Sequence, residues 1–316
     1  MNIAQGRTMR RILVTAISGD IGNGILKILQ EGDDCLFGCD VNEIAAGMDK
    51  VDYFWKVCYA TEEGYIDEII EKCKELRITH LIPVNEREIE KISEHRNLFE
   101  ELRVKIVLLK QSILNICLDK YRTACFLADN DLDVPRTYRN IEQIEDKARR
   151  YICKPRRSNG SKDIFTFVPE KDSVYVEEGY VIQEYIDSNE EYTIGVFRHG
   201  SIVNTIAFRR ELKNGYSNLV VLANEPKLHE LAMHIAELLE LEGYINIQLR
   251  KKDGKYYIFE INPRISGTVR YRHLLGYSDV LWWLDILDGN SIETYKCKYK
   301  KAIGIRELNE KYLLLE

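Results

Sequence analysis

The segment Tyr244 to Arg264 constrains this chain more than any other, because its sequence, YINIQLRKKDGKYYIFEINPR, predicts a β-hairpin with polar side chains near one end. The pair Asp253-Gly254 is typical of a tight turn between two β-rich runs. Side chains alternate along a strand, so Glu260 and Asn262 are expected to project from the same face. The paired neighbouring strand can then bring the side-chain oxygen of Gln248 beside them.

This predicted oxygen cluster suits Mg²⁺, a hard cation that prefers oxygen ligands and binds through one or two carboxylates together with substrate phosphates. Arg264 follows the cluster, where a guanidinium can hold a phosphoryl or carboxylate group with two hydrogen bonds. A simpler interpretation is that Glu260 and Asn262 satisfy amide groups at a proline-containing turn. The spacing alone leaves both interpretations open.

Length and composition indicate an ordinary globular protein. The 316 residues are enough for two or three domains, each with its own core. The formal net charge of −6 disfavours a nucleic-acid-binding surface, which normally carries a basic excess. The eight cysteines show no C-x-x-C spacing, and the longest apolar stretches are too short to span a bilayer. We therefore expect a cytoplasmic protein with reduced thiols and neither a nucleic acid nor a membrane as its partner.

The N-terminal region has the pattern of a strand, a glycine turn and a helix. The apolar run RILVTA precedes a turn at 18–22 that contains Gly19 and Gly22, and a second predicted strand ends at Asp40. This pattern predicts the first βαβ unit of a doubly wound domain, with an acid where dinucleotide-binding folds contact ribose. A nicotinamide-dependent oxidoreductase is therefore one alternative. The glycine turn does not decide this, because a tight turn needs glycine with or without a ligand.

Alternation continues with predicted strands at 80–84 and 105–109 and predicted helices near 63–76 and 89–102. Repeated βα units imply a parallel sheet. Glu86 follows the first of these strands, at the edge where open α/β sheets bind ligands. An N-terminal helix cap explains Glu86 equally well.

Two lysines and a polar loop mark the middle of the chain. A predicted helix over 112–129 carries Lys120, and a predicted strand over 151–155 carries Lys154. The Gly/Ser-containing loop at 156–163 is predicted to form a flap that closes over phosphates with its backbone N–H groups. The remaining predicted elements are strands at 164–168, 180–185 and 190–197 and helices near 141–150, 226–241 and 276–287.

The hairpin closely resembles the metal-binding hairpin of ATP-grasp enzymes, especially of the carbamoyl-phosphate-synthetase-like branch. That pattern is approximately N-x-Q, a hairpin and E-x-N-P-R, and the segment NIQLRKKDGKYYIFEINPR matches every polar position. The resemblance implies an α/β and α+β fold with a single ATP-grasp unit. We predict a Rossmann-like domain over 1–110, a small ATP-grasp subdomain with the phosphate flap over 111–185, and a C-terminal subdomain with the metal site over 186–316.

The resemblance also implies which residues contact the nucleotide. Lys120 and Lys154 lie in matching contexts, DKYRT and ICKP, where the family places phosphate-binding basic residues. Gly160 and Ser161 occupy flap positions that the carbamoyl-phosphate enzymes fill with paired glycines. The other implied contacts are an adenine-reading linker at Glu184, Tyr185 and Ile186, and a ribose-binding acid at Glu191.

ATP and Mg²⁺, with Mn²⁺ as a substitute, are the implied cofactors. Gln248 and Glu260 would hold one ion, and Glu260 and Asn262 would hold a second that bridges the phosphates. Gln248 is a neutral ligand where many amide ligases of the family use an acid, which predicts weaker binding of one ion.

The implied reaction is phosphoryl transfer to a small-molecule carboxylate, followed by attack of an amine or ammonia on the acyl phosphate. Glu260 and Arg264 are the predicted catalytic residues. Four more arginines are candidates for binding an acidic substrate or, equally, for exposed ends of helices and strands: Arg209, Arg210, Arg270 and Arg272. A nucleotide-sensing binding protein without catalysis is a second alternative, and a homodimer is an assembly that the resemblance allows.

Overall fold

A computed structural model describes residues 9–157, 163–213 and 216–307 of the chain. Contacts between residues divide the chain into two units. The first contains the N-terminal part through Leu108 and the segment Gly267–Glu293, and the second contains Leu109–Ser266 and Thr294–Arg306. None of the helices in the described ranges combines the length and apolar character needed to cross a membrane.

The described residues form β-strands, α-helices and two single-turn 3-10 helices, Met48–Lys50 and Ile141–Gln143. The strands are β1 (Arg11–Val14), β2 (Cys35–Asp40), β3 (Tyr53–Lys56), β4 (His80–Ile82), β5 (Lys105–Ile106), β6 (Thr137–Tyr138), β7 (Tyr151–Pro155), β8 (Phe165–Phe167), β9 (Tyr180–Glu184), β10 (Glu191–His199), β11 (Ile202–Lys213), β12 (Tyr216–Ala223), β13 (Gly243–Lys252), β14 (Lys255–Asn262) and β15 (Ile303–Ile305). The α-helices are α1 (Asp20–Leu29), α2 (Tyr65–Glu75), α3 (Glu86–Glu94), α4 (Arg96–Glu101), α5 (Gln111–Cys117), α6 (Lys120–Asp129), α7 (Pro226–Leu238), α8 (Val269–Leu274) and α9 (Asp279–Leu287).

The first unit is built on a parallel five-stranded sheet in the order β3-β2-β1-β4-β5. Its β1 and β4 strands are fully buried apart from the first residue of β1, as expected for strands covered on both faces. The order reverses between β1 and β4, which is where open α/β sheets form ligand crevices. The predicted Rossmann-like sheet is confirmed.

The glycine turn after β1 has a packing explanation. A Cβ added to Gly22 would lie 2.5 Å from the carbonyl oxygen of Ala16, so no larger residue fits where α1 starts. The Asp40 carboxylate accepts hydrogen bonds from the backbone N–H groups of Ser18, at 2.8 Å, and Asn42, at 3.0 Å. Both residues therefore stabilise the turn itself, and neither requires a dinucleotide.

A helix cap occupies the end of β4, where Glu86 was a candidate contact. The side chain of Asn85 accepts from the N–H of Arg87, and the carboxylate of Glu88 accepts from the N–H of Asn85, which is a capping box. Glu88 also accepts a hydrogen bond from the Thr15 hydroxyl, at 2.6 Å. The structure thus supports the capping interpretation, with Asn85 as the cap.

The segment Gly267–Glu293 joins the first unit, although our prediction placed it in the C-terminal subdomain. Helix α8 packs on α1, and a Cβ added to Gly24 would lie only 2.8 Å from Cγ1 of Val269. Glu31 also forms ion pairs with Arg270 and His273. The boundary between the two units therefore differs from the predicted one, because α8 packs against α1, which lies near the start of the chain.

The second unit contains two antiparallel sheets. The larger has the order β14-β13-β10-β11-β12-β15, with α7 packed on β10 and β11, and the smaller has the order β6-β9-β7-β8. The long β11–β12 hairpin lies in a region for which the sequence pattern predicted no element. It extends the larger sheet beyond β14, β13 and β10.

Two predicted helices of this unit were wrong in extent. The helix over 112–129 is broken before Lys120, because the Asp119 side chain accepts from the backbone N–H groups of Tyr121 and Arg122 and starts a new helix. The helix near 141–150 is only a 3-10 turn. Ile144, directly after it, is buried with Tyr151 in the core of the smaller sheet, so the chain turns inward there.

Candidate functional site

The hairpin predicted from the sequence is present, and its register sets the site. Strands β13 and β14 pair antiparallel, with Gln248 opposite Glu260 and Asn246 opposite Asn262. The turn residues Asp253 and Gly254 have positive φ angles of 50° and 76°, as a tight hairpin turn requires. Directly opposed residues share one face of a sheet, so the four polar side chains line a common face.

Two buried lysines converge on the strand that carries Glu260. Helix α6 packs against β14 and brings Nζ of Lys120 to 3.6 Å from Oε1 of Glu260. Nζ of Lys154 donates to Oε1 of Gln183, at 2.9 Å, and to the carbonyl oxygen of Phe259, at 3.4 Å. Lys120 and Lys154 are only 8% and 5% exposed, so their charges act in a poorly solvated environment.

Opposing effects set the ionisation of Glu260. Burial raises the pKa of this carboxyl, but the positive charges of Lys120, Lys154, Arg264 and Arg210 together outweigh burial and hold its pKa below the ordinary value. Glu260 is therefore an anion at neutral pH. It is the negative centre of a surrounding group of cations.

Lys154 shows the reverse behaviour. Burial lowers its pKa, the Glu260 carboxylate partly restores it and the charge of Lys120 lowers it further, which leaves a pKa of about 8. A lysine with this pKa carries its charge at neutral pH at an energetic cost. A bound anion would remove that cost, which is a property expected of a phosphate-binding residue.

An ion pair fixes the start of α6, where Lys120 lies. The Asp119 carboxylate that caps this helix also accepts from the Arg156 guanidinium, at 2.6 Å, and is 3% exposed. The backbone N–H of Lys120 donates to the carbonyl oxygen of Arg156, at 3.0 Å. Because Arg156 directly follows β7, these bonds hold Lys120 beside the strand that carries Lys154.

Glu191 lies between two arginines. Arg210 donates from Nε to Oε1 of Glu191, at 2.9 Å, and from a terminal nitrogen to Oε1 of Gln248, at 2.8 Å. Arg250 donates to Oε2 of Glu191 from Nε, at 3.1 Å, and from a terminal nitrogen, at 3.0 Å. One network therefore connects the predicted ribose acid to the predicted metal ligand.

The predicted adenine linker begins at Glu184, the last residue of β9. The N–H of Glu184 donates to Arg136, and the N–H of Tyr185 donates to Arg150, in both cases to the backbone oxygen. Arg250 donates to the carbonyl oxygen of Ile186, at 3.0 Å, and its guanidinium stacks over the Tyr185 ring. The linker is thus held next to Glu191 through Arg250, and the Glu184 side chain pairs with Arg149.

Family models match two parts of the chain. Residues 117–268 match a model described as an ATP-grasp domain, and residues 19–107 match one described as a PylC-like N-terminal domain. The chain contains an ATP-grasp domain. The match spans Lys120, Lys154, Glu191 and the whole hairpin, so the resemblance inferred from the hairpin is confirmed for the superfamily. A comparison with curated proteins found no significant match to the chain.

Solved structures with the same fold include ligases and carboxylases. The biotin carboxylase domain of Hydrogenobacter thermophilus 2-oxoglutarate carboxylase, solved as a dimer with MgADP, ADP and bicarbonate, has a TM-score of 0.71, 13% identity, and coverage of 90% of this chain and 71% of its own. An L-amino acid ligase from Bacillus licheniformis has a TM-score of 0.66, 15% identity, and coverage of 89% and 75%. Rhizobium etli pyruvate carboxylase has a TM-score of 0.73 and 15% identity. The match covers 90% of this chain but only 29% of that longer chain. At these identities the similarity establishes the fold.

The ATP-grasp hairpin offers a donor set that fits Mg²⁺. No group of three or more His, Cys, Asp or Glu side chains that could hold a metal occurs among residues 9–157, 163–213 and 216–307. The set instead has the Glu260 carboxylate and the amide oxygens of Gln248 and Asn262. The buried Nδ2 of Asn262 has no hydrogen-bond partner, so no such bond holds that end of the carboxamide in place. One carboxylate with neutral oxygens suits Mg²⁺ that arrives with phosphates.

The remaining predicted residues differ in their placement. Gly160 and Ser161 lie outside the described residues. Arg264, half-buried, donates to the carbonyl oxygen of Ile265, at 3.2 Å, and its charge contributes to the lowered pKa of Glu260. Arg209 is exposed on β11.

Two of the candidate arginines belong to the first unit and have structural partners. Arg272 is fully buried and is ion-paired with Asp279 at 2.5 Å, so its predicted role as a substrate contact is wrong. Arg270 pairs with Glu31. Neither the motif nor the charge pattern indicated these ion pairs. They form because helix α8, which carries both arginines, packs within the first unit.

Sequence reasoning missed several residues of the ATP-grasp domain. Asn246 is fully buried, accepts from the Thr193 hydroxyl at 2.7 Å, and has an Nδ2 without a hydrogen-bond partner. It is the first residue of the N-x-Q pattern, which was the available signal. Asp119 directly precedes Lys120, but only the fold shows that its carboxylate pairs with Arg156, a residue of the predicted flap loop.

Proposed function

We propose that this protein is an ATP- and Mg²⁺-dependent ligase that activates a small-molecule carboxylate as an acyl phosphate for attack by an amine or ammonia. The observation that carries the proposal is the ionised Glu260, opposed by Gln248 and approached by Lys120 and Lys154. A single carboxylate among four cations suits a polyphosphate with its metal better than it suits a free cation.

The proposed roles follow from charge. Lys120 and Lys154 bind phosphate oxygens. The charge of Lys154 is stabilised most by a bound phosphate, because burial has lowered the pKa of this lysine to about 8. Glu260, Gln248 and Asn262 would hold Mg²⁺, which would neutralise phosphate charge and orient the γ-phosphoryl group. The carbonyl groups and apolar side chains around 184–186 bind adenine, and Glu191 accepts ribose hydroxyl groups.

The proposed reaction has two steps. An oxygen of the substrate carboxylate attacks the γ-phosphorus, the bond to ADP breaks, and an acyl phosphate forms. The neutral amine then attacks the acyl carbon, phosphate leaves, and the nitrogen gives up a proton to solvent. Arg264 holds the acyl phosphate through both steps, because its guanidinium can bind two oxygens at once.

The relatives suggest which acceptors to test. One has bicarbonate in its structure and another is an L-amino acid ligase, so both bicarbonate and amino acids are reasonable acceptors for a first screen. The assay is phosphate release from Mg-ATP in the presence of pairs of carboxylates and amines. At least one pair should stimulate release, and mass spectrometry should find the corresponding condensation product.

Glu260→Gln provides the critical variant for that screen, with Glu237→Gln, at an exposed position of α7, as its control. Loss of stimulated release in Glu260→Gln, but not in Glu237→Gln, supports the proposal. Full release by Glu260→Gln with a proven substrate would contradict it. Tight Mg-ATP binding without turnover for any pair would favour the nucleotide-sensing alternative.

A thermal-shift comparison tests the oxidoreductase alternative. Mg-ATP or Mg-ADP should raise the Tm, whereas NAD(H) should not, because Asp40 and Gly22 already have structural roles in their turn. A larger shift with NAD(H) than with adenine nucleotides would instead favour a dinucleotide site.

A further inference from the structure

Arg210 occupies the oxygen that the proposed function assigns to the metal. Its terminal nitrogen lies 2.8 Å from Oε1 of Gln248. A guanidinium and Mg²⁺ are both cations that bind to the lone pairs of the amide oxygen. Two cations on one oxygen repel each other. The metal and Arg210 are therefore competitors for Gln248.

Arg210 is held firmly in this competing position. Its side chain is 10% exposed, and its other hydrogen bond goes to Glu191, which Arg250 holds from the opposite side. Strand pairing aligns these side chains across three neighbouring strands, β11, β10 and β13. Displacing Arg210 from Gln248 therefore requires a partner that outweighs a partly buried charged hydrogen bond.

The surrounding charge makes a free metal ion a poor partner. Glu260 is the carboxylate of the predicted donor set, and Lys120, Lys154, Arg264 and Arg210 all act on it. A divalent cation that enters alone adds charge to a site that is already rich in cations. A nucleotide reverses this balance, because its phosphates are attracted by the same cations.

We propose that Arg210 is a gating residue that excludes free divalent cations by occupying Gln248, so that the metal is admitted only together with nucleotide phosphates. This inference rests on the proposed function and adds an order of binding to it. Once released from Gln248, the guanidinium of Arg210 would be available to a phosphate. Arg210 is thus a positioning residue that connects the ribose acid with the metal ligand.

Binding of Mn²⁺ to the full chain without nucleotide tests the gate directly. Free Mn²⁺ is measured by its electron paramagnetic resonance signal during a titration of the wild type, Arg210→Met and Arg209→Met. Arg209 is the matched control, because it is the exposed neighbour on the same strand and projects from the opposite face. Arg210→Met should bind Mn²⁺ about tenfold or more tightly than the other two proteins.

Two further variants define the site and the role of charge. Arg210→Lys keeps the cation and should exclude Mn²⁺ as the wild type does. Glu260→Gln in the Arg210→Met background should remove the gained Mn²⁺ binding. Equal Mn²⁺ affinity in the wild type, Arg210→Met and Arg209→Met would overturn the proposal, as would gained binding that survives Glu260→Gln.

A parallel titration with ADP separates this inference from the proposed function. Wild-type protein should bind Mn-ADP, as measured by calorimetry of preformed Mn-ADP titrated into the protein, because ADP alone already removes the free Mn²⁺ signal. If the wild type binds no Mn-ADP, the proposed function fails at that point. If Mn-ADP binds but Arg210→Met gains no affinity for Mn²⁺ alone, only the gate is wrong.

Discussion

Lys120 Nζ lies 3.6 Å from Glu260 Oε1, although the two residues belong to a helix and a strand that are far apart in the sequence. The pair connects the predicted phosphate side of the site with its predicted metal side. Because the Lys120 side chain is buried and that of Glu260 is only 22% exposed, the lysine charge lowers the pKa of Glu260 more strongly than a surface partner would.

The pH dependence of stability should reveal the Glu260 charge. Its pKa in the folded protein lies below the ordinary value of 4.5, so its ion pairing stabilises the fold above that pH and is lost as the pH falls through the folded pKa. Glu260→Gln should lower the free energy of unfolding by about 1–3 kcal/mol at pH 7. In urea unfolding, that difference should shrink below pH 4.5. A difference that stays constant with pH would contradict this prediction.

Lys154 should affect stability in the opposite direction. The pKa of Lys154 is about 8 in the folded protein and 10.5 ordinarily, so between these values the unfolded chain binds more protons than the folded one. The free energy of unfolding of the wild type should therefore rise with pH through this window. Lys154→Met should raise the free energy of unfolding at pH 7 by up to about 3 kcal/mol. The advantage should fade by pH 10.5, and exposed Lys147→Met should show no such trend.

Phosphate binding should raise the pKa of Lys154. At pH 9 the wild type should therefore take up protons when Mg-ADP binds, and calorimetry in buffers of different ionisation enthalpy measures that uptake. Lys154→Met should bind Mg-ADP more weakly and with less proton uptake. Unchanged affinity and unchanged uptake would remove Lys154 from the phosphate site.

Asp119 should contribute to both stability and nucleotide binding. Asp119→Ala removes the cap of α6 and the ion pair with Arg156, and should cost about 1–3 kcal/mol in urea unfolding. Asp119→Asn keeps an oxygen for the cap and should cost less. Asp129→Asn, at the exposed end of the same helix, is the control. If Asp119→Ala binds Mg-ADP as tightly as Asp129→Asn, Asp119 does not position Lys120.

The glycine turn in the first unit gives a purely structural prediction. Gly22→Ala would place a Cβ 2.5 Å from a backbone oxygen and should destabilise the protein by about 2–4 kcal/mol. Gly32→Ala would meet its nearest atom, the Leu29 oxygen, at 3.7 Å, and should be tolerated. Thermal unfolding of both variants measures the difference, and similar Tm values would show that the turn can open.

The local pattern predicted the parts of the site that lie close together in the chain. The turn residues predicted the hairpin, and the parallel sheet followed from repeated βα units. The pairing of Gln248 with Glu260 also needs a register shift between Gln248 and Leu249, because the uninterrupted register from the turn would place Gln248 opposite Phe259. Periodicity was less reliable where a side chain redirected the backbone. The polar Asp119 interrupts an otherwise helical stretch, because its carboxylate bonds to backbone N–H groups and begins a second helix.

The sequence by itself determined the hairpin and its polar residues, because neighbouring strands joined by a short turn have few ways to pair. Only the tertiary structure decided which cations surround Glu260 and which arginine donates a hydrogen bond to Gln248. It also decided that Arg272 is buried in an ion pair with Asp279. Those relationships depend on packing between elements that are distant in the chain. A charge in the sequence carries no information about its partner until packing brings the two together.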